Sequence, residues 1–427
     1  MVIRPAFKYV MGFICCVSMM TAQLSFAEEV FSGEQSSSAD SVDSGERWLN
    51  GQEWFQPDAN GVVHVWPQDS LFRIRGWIDG GYTYNTDSPS SAFNGPYNAI
   101  DRDIAQLNQL YFILESPLRR VSGEWSLGGR VDFLWGYDYY LAESKGFERD
   151  ENGTPGWNQG QYGVVLPQMY AEVGFRDVSL KLGHFYTIIG YEGVPALSNF
   201  FYSKSYSYQF AGPFTHWGGL MDWRPSSEWS FKAGVHNGWD TLKRNRKNRP
   251  GGLFGVDYTP VSDLWSLGAA LTTGSEPSAN PRSVGNRTRY SVIFKLRPVR
   301  PIEYVLHHHY AFQKNGQASG RTAQWYGIDQ YLFYQVTERV KGGVRFEWLR
   351  DDDGTRVSGS PFRGNVNVGS FKGNFYSLSF GVNYAPHPNV LLRPEVRHDW
   401  FTGNQRPFDD GQEKNQTLLA INGLIQF

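Results

Sequence analysis

From Leu71 to Phe427 apolar and polar residues alternate with a period of two, and the polar set is densely charged. Phe72, Ile74, Ile78, Tyr82 and Tyr84 fall on one face, with Arg73, Arg75, Asp79, Thr83 and Asn85 on the other. Trp125, Leu127, Val131, Phe133 and Trp135 oppose Ser126, Arg130 and Asp132. Val340, Val344, Phe346 and Trp348 oppose Lys341, Arg345 and Glu347, while Val390, Leu392, Val396 and Trp400 oppose Arg393, Glu395, Arg397 and Asp399. Side chains of a strand point alternately to its two faces, so this pattern predicts strands. A soluble sandwich alternates as well. Here the charged face recurs strand after strand with no helical segment to cover it. A closed barrel with an apolar outside and a wet, charged inside accommodates both faces and leaves no backbone edge unpaired in lipid.

The segments number about sixteen, beginning near residues 71, 105, 123, 165, 178, 214, 228, 252, 263, 288, 301, 322, 338, 374, 389 and 416. Short connections such as Arg176-Asp177, Arg224–Glu228 and Ala385–Asn389 alternate with long ones such as Thr86–Ile104, Asp138–Gln161, Ile188–Pro213 and Arg350–Lys372. That asymmetry predicts short periplasmic turns and long extracellular loops, and sixteen strands enclose an aqueous lumen. Aromatics are 16% of the chain, with 24 Tyr, 29 Phe and 15 Trp, as interfacial girdles require. The last segment puts Thr417, Leu419, Ile421, Ile425 and Phe427 on one face, an amphipathic strand ending on Phe. The fold expected is therefore all-β, a transmembrane antiparallel β-barrel over residues 71–427.

Ahead of it lie two other segments. Residues 1–27 read as a signal peptide: Arg4 and Lys8, an apolar stretch from Tyr9 to Leu24, and the small-x-small site Ser25-Phe26-Ala27. Residues 28–70 begin Ser-rich and acidic, a composition expected to be partly disordered. Both cysteines, Cys15 and Cys16, fall within the signal, so the exported chain is expected to have neither disulfides nor a cysteine nucleophile. A formal net charge of −2 offers no basic excess for nucleic acid.

Leu107–Glu115 (LNQLYFILE), Lys181–Pro195 (KLGHFYTIIGYEGVP), Asn199–Tyr202 (NFFY), Gly212–Gly218 (GPFTHWG), Arg345–Gly354 (RFEWLRDDDG) and Arg393–Trp400 (RPEVRHDW) together resemble the OmpL-like family of outer-membrane β-barrel porins. The likeness runs from about residue 71 to the last residue. It implies an outer-membrane channel in a Gram-negative-type bacterium and brings no set of binding residues with it.

A diffusion pore needs a constriction of chosen size and field rather than a catalytic constellation. The candidate is the third long loop, Ile188–Pro213. It carries Asn199, Tyr202, Tyr206 and Tyr208, with Glu192 and Lys204 as its charged residues. Its aromatic surface is too apolar to leave in water, and Ser198, Asn199, Ser203, Ser205 and Ser207 are expected to offer hydrogen bonds to a passing solute. By parity the pore lining includes Arg73, Arg75, Asp79, Arg130, Asp132, Glu172, Arg345, Glu347, Arg393, Glu395, Arg397 and Asp399, with Glu124 among further inward acids. The signs are mixed too evenly to set an ion preference. The function expected is passive diffusion of small polar solutes, with no catalytic residues, cofactor or metal. The partners expected are outer-membrane lipids, the barrel-assembly machinery and further copies of the chain. The rival readings are a structural or adhesive barrel with a plugged lumen, and a barrel enzyme, for which no nucleophile–base motif is present. Of His307-His308-His309 only the outer two share a face, too few for a metal site on their own. Asp351-Asp352-Asp353-Gly354 lacks the later acid of a calcium loop and reads as a strand-exit turn. Lys243–Arg249 is a basic loop tip.

Overall fold

The computed structural model describes residues 72–427 apart from 102, 119–122, 151–153, 155, 159, 244–248, 278–283 and 359–369. The signal segment 1–27, residues 28–70 and most of the basic tip 243–249 lie outside the described residues.

Sixteen strands form one closed antiparallel barrel. The first eight are Arg73–Asn85 (β1), Gln106–Ser116 (β2), Trp125–Gly136 (β3), Gly163–Phe175 (β4), Val178–Tyr186 (β5), Thr215–Trp223 (β6), Trp229–His236 (β7) and Gly251–Tyr258 (β8). The others are Trp265–Pro277 (β9), Val284–Leu296 (β10), Ile302–Gln313 (β11), Ala323–Thr337 (β12), Val340–Asp351 (β13), Gly373–His387 (β14), Val390–Thr402 (β15) and Asn415–Gln426 (β16). Every start lies within four residues of the position expected from alternation. The barrel closes where β1 pairs with β16, from Trp77↔Gln426 to Asn85↔Leu418. Phe427 continues that seam, exchanging backbone hydrogen bonds with Gly76 at 2.9 Å in both directions. Its ring meets Phe112 edge-on at 5.6 Å.

Parity holds around the wall. Ile78, Leu127, Phe254, Phe380, Val396 and Ile421 are exposed, as a lipid-facing surface must be, while Asp79, Asp132, Arg345, Glu347, Arg397 and Asp399 are buried on the opposite face. Two aromatic belts ring the outside. At the short-turn end Trp223 meets Phe231 at 5.4 Å, Trp229 meets Tyr258 at 4.5 Å, and Tyr258 meets Trp265 at 5.3 Å. At the long-loop end Tyr290, Tyr310, Tyr326 and Trp348 follow one another at 6.1, 6.1 and 5.7 Å, and Tyr376 stacks on Trp400 at 5.2 Å. Two belts separated by an apolar band are the mark of a membrane-spanning barrel.

Three details depart from the alternation. Asn108 and Gln109 both face inward because the β1–β2 register shifts there, a β-bulge that puts two polar side chains where one would fit. Glu124 precedes β3 and is exposed, so it is not on the inner wall. The third long loop holds a short helix, Tyr206–Ala211 (α1), where no periodicity predicts one. Ser205 starts it, its hydroxyl accepting from the Tyr208 N–H at 3.0 Å.

Candidate functional site: the inward-folded third loop and its charged wall

The segment between β5 and β6 has no strand partner, so its backbone donors and acceptors need partners elsewhere. The inner wall supplies them. Arg345 of β13 donates to the Ser203 carbonyl at 2.8 Å and to the Ser203 hydroxyl at 2.6 Å. Arg397 of β15 donates to the Lys204 carbonyl at 2.8 Å. Arg393 donates to the carbonyls of Asn199 at 2.6 Å and Ala196 at 3.0 Å. Carboxylates answer the loop's N–H groups: Glu395 accepts from Ser203 at 2.8 Å and Glu347 from Tyr206 at 2.6 Å. Asp329 of β12 accepts from the Ser207 hydroxyl at 2.7 Å.

The loop touches β2 too. Gln109 on β2 accepts from the Ala196 N–H at 2.9 Å and donates to the Val194 carbonyl at 2.7 Å. Tyr202 reaches Asn108, their polar atoms 3.3 to 3.4 Å apart. Ile188 and Ile189 pack with Phe185, Leu220 and Leu253 on a third stretch of wall. The loop thus crosses the interior of the barrel, in contact with inward side chains of β2, β5, β6, β8 and β12–β15.

Both loop charges are compensated. Glu192 accepts from Arg345 at 2.9 Å, from Tyr331 at 3.0 Å and from the Ser205 N–H at 2.8 Å. Burial pushes its pKa up, but Arg345 and Lys204 outweigh it and hold the carboxyl below its ordinary range. Lys204 donates to the Gly193 carbonyl at 2.9 Å and lies over the Tyr208 ring at 5.3 Å. Burial brings its ammonium down to about 8, against the pull of Asp138 and Glu192. Asp79, Asn108, Asp138, Ala196, Tyr202, Lys204 and Arg393 border a cavity wide enough for little more than one water.

The expected loop residues Glu192, Asn199, Tyr202, Lys204, Tyr206 and Tyr208 all lie inside the barrel. Asn199 braces the loop itself, bonding Gly193 and the Pro195 carbonyl. Tyr206 packs on Phe375 at 5.3 Å beneath the Arg397 guanidinium, and Tyr208 packs on Phe214 at 5.2 Å. Ser203, Ser205 and Ser207 are buried and bonded within the protein, so the expectation that they meet a passing solute does not hold in this state.

Of the expected wall residues, Asp79, Arg345, Glu347, Arg393, Glu395, Arg397 and Asp399 gather at or beside the loop contacts. Arg75, Arg130, Asp132 and Glu172 form a separate group. Arg130 pairs with Asp132 at 2.6 Å and lies 3.7 Å from Glu115, and Arg75 meets Glu115 at 3.2 Å. Glu172 accepts from Ser179 at 2.9 Å. Arg73 is half-buried near the start of β1.

Alternation did not reveal the slots that receive the loop aromatics. A Cβ on Gly81 would lie 2.5 Å from the Tyr202 hydroxyl, and one on Gly343 would lie 2.4 Å from the Phe200 ring. Glycine at an inward strand position, where side chains otherwise alternate without gaps, is the sequence signal for such a close approach. His307 and His309 are committed elsewhere: His307 pairs with Asp329 at 2.8 Å and Ser291 at 3.0 Å, and His309 with Ser207 at 2.9 Å. Asp351 accepts from the backbone N–H of Thr355, Arg356 and Val357 at 3.1, 2.7 and 2.9 Å, which makes it the organiser of a strand-exit turn.

Residues 71–427 match the family model described as "Putative beta-barrel porin-2, OmpL-like". Among curated proteins the sequence has no match. Among solved structures it is similar to the outer-membrane channel DcaP of Acinetobacter baumannii, at 11% identity and a TM-score of 0.55, over 83% of this chain and 97% of that one. It is also similar to the trimer form of OmpT of Vibrio cholerae, at 10% identity and a TM-score of 0.52, over 83% and 99%. An anion-selective porin from Comamonas acidovorans has 7% identity and a TM-score of 0.53, again over 83% and 99%. At such identities the likeness is one of fold.

Proposed function

Because the chain belongs to the OmpL-like beta-barrel porin-2 family, we propose that it is an outer-membrane channel through which small polar solutes diffuse passively. On this reading residues 1–27 direct export and are removed near Ala27, residues 28–70 precede the barrel, and the assembly machinery inserts residues 71–427 as a homo-oligomer. Glu192, Asn199, Tyr202, Lys204, Tyr206 and Tyr208 belong to the constriction. Arg73, Arg75, Arg130 and Glu172 line the lumen away from the loop contacts, with the buried Asp132 as the counter-ion of Arg130. The carrying observation is the third loop, which crosses the barrel interior and is held there by Arg345, Arg393 and Arg397. A size filter needs a loop held in the lumen at a fixed place, and fixed wall charges supply that.

A second reading has its own support. Each of the sixteen strands contributes at least one buried inward side chain, from Asp79 on β1 to Leu418 on β16, as a plugged structural barrel would. Purified protein in planar bilayers and in sugar-loaded liposomes separates the two. Discrete conductance steps and swelling with small sugars support the channel. A folded, inserted barrel that gives neither is structural. Replacing Phe200–Tyr208 with a short Gly-Ser linker is expected to raise conductance, and an unchanged conductance places the constriction elsewhere.

A further inference from the structure

We propose that the outer face of β11 and β12 docks a second copy of this chain through His308 and Gln330. The inference rests on the outer-membrane reading and adds the surface on which copies meet. Outward positions between the two aromatic belts are apolar on most of the barrel: Ile78, Phe112, Val131, Phe254, Phe380 and Ile421 are all exposed hydrophobics. On β11 the outward side chains run Tyr304, Leu306, His308, Tyr310, and on β12 they run Tyr326, Ile328, Gln330, Leu332, Tyr334. Each strand therefore has a tyrosine toward either rim with a polar residue between. Gln330 lies four residues from both Tyr326 and Tyr334. His308 sits opposite Val292 and Ile328, and Gln330 opposite Leu306 and Phe346, so apolar neighbours surround both. His308 and His398 each lie one outward step from a rim aromatic, Tyr310 and Trp400, but among the described residues His398 has a partner on its own barrel, Thr417 at 2.9 Å.

The chemistry of the pair selects its partner. Tyr304 donates to the Gln330 carbonyl oxygen at 2.7 Å, which leaves the amide hydrogens as donors. The His308 ring lies 5.7 Å from the Tyr290 ring and makes no hydrogen bond among the described residues. A neutral imidazole has one acceptor nitrogen and one donor. Gln330 is too short to reach the headgroups from midway between the belts, and acyl chains offer nothing to bond. A polar residue facing lipid at that depth is disfavoured unless protein covers it. A second copy presents the same donors and acceptors at the same depth, so the Gln330 amide of one copy can meet the His308 nitrogen of the other. The flanking Leu306, Ile328 and Leu332 supply the apolar contact around it.

The mature chain is expected to lack cysteine, so single cysteines report contacts directly. Gln330→Cys and, as the control on a distant outward face, Phe112→Cys are placed separately in the full chain and oxidised in native outer membranes. Heat-modifiable migration verifies folding in each case. The expected result is a covalent dimer of the chain for Gln330→Cys and none for Phe112→Cys, with the His308→Leu/Gln330→Leu protein shifted toward monomer in mild detergent. A folded membrane barrel whose Gln330→Cys stays monomeric overturns the inference and leaves the channel reading intact. So does dimer formation equal at both positions, which is collision, or capture of a different protein at Gln330→Cys. A soluble protein overturns both.

Discussion

Arg345 is the residue whose loss most sharply tests the loop's attachment. Its guanidinium is buried and bonds Glu192, the Ser203 carbonyl and hydroxyl, and Ser379 at 2.9, 2.8, 2.6 and 3.2 Å. The carboxylates of Glu395 and Glu347 lie 3.6 and 3.9 Å away. Arg345→Met keeps most of the volume and removes every donor. Three carboxylates then lose a cationic neighbour, of which Glu347 keeps Arg397 at 3.0 Å. Removing one partner from a buried charge cluster costs about 3–5 kcal/mol. The barrel ladder is not what is lost, because β12–β14 remain paired through their backbones. The cost falls on the loop, whose released population is expected to rise by roughly two to three powers of ten at about 1.4 kcal/mol each. Two readouts follow the loop directly. Trypsin is expected to cut after Lys204, buried in the native protein, while the barrel stays resistant and heat-modifiable. Single-channel conductance is expected to increase. Adding Glu192→Gln removes one stranded charge and is expected to restore part of the attachment, a coupling that distinguishes this cluster from simple loss of packing. A folded Arg345→Met protein with Lys204 uncut and conductance unchanged would falsify the attachment described above.

Other expectations follow from the same wall. Val344 is the outward neighbour of Arg345, and Val344→Lys is expected to cost the barrel about 2–4 kcal/mol if it lies near the bilayer midplane; equilibrium unfolding in lipid that shows no loss would put Val344 at the rim. Phe427→Asp places a charge beside Phe112 at the β1–β16 seam and is expected to lower the amount of assembled barrel more than conductance per assembled molecule; normal membrane levels would contradict this. The Glu192 carboxyl titrates below its ordinary range when folded, so its contribution to holding the loop is present at neutral pH. It is lost as pH falls through that depressed folded value. Conductance is therefore expected to be flat from neutral to mildly acidic pH and to rise below that, and a rise centred on pH 6 would assign the change to another group.

The barrel was legible because its two constraints are local and repetitive. Lipid outside and polar groups inside impose a period of two on every strand, and one register error would turn a whole strand inside out. Val340–Asp351 can be read this way without any structure: Val344, Phe346 and Trp348 one way, Arg345 and Glu347 the other. The alternation breaks at Asn108-Gln109, where a bulge admits an extra polar residue that the loop needs: Gln109 bonds Val194 and Ala196, and Asn108 bonds Tyr202. The loop's own course was only partly legible. Its aromatic content argued for burial, but its serines suggested solute contacts, and in the structure they are spent on the wall and on the start of α1. The helix Tyr206–Ala211 is only six residues long, too short for a period to detect, and forms because Ser205 caps it and Glu347 takes the Tyr206 N–H.

The charged wall has a consequence that the count of its signs conceals. Arg345, Arg393 and Arg397 look from sequence like a ring facing solution, with Glu347, Glu395 and Asp399 as their counter-ions. In the structure much of their hydrogen-bonding capacity is taken by loop backbone, with carbonyls on the arginines and N–H groups on Glu347 and Glu395. A loop that must lie in a wet barrel without a strand partner can satisfy its peptide groups with water or with wall charges. Wall charges hold it in one place, whereas water leaves it free to move. The same substitutions that alter the charge of the inner wall are therefore expected to move the loop as well, so on the channel reading single changes at Arg345, Arg393 or Arg397 are expected to alter selectivity and conductance together. Arg130 offers the contrast. It pairs with Asp132 and lies near Glu115, all on the strand wall, so Arg130→Gln is expected to change reversal potential in a salt gradient while conductance at high salt, which reads width, stays near that of the unaltered protein.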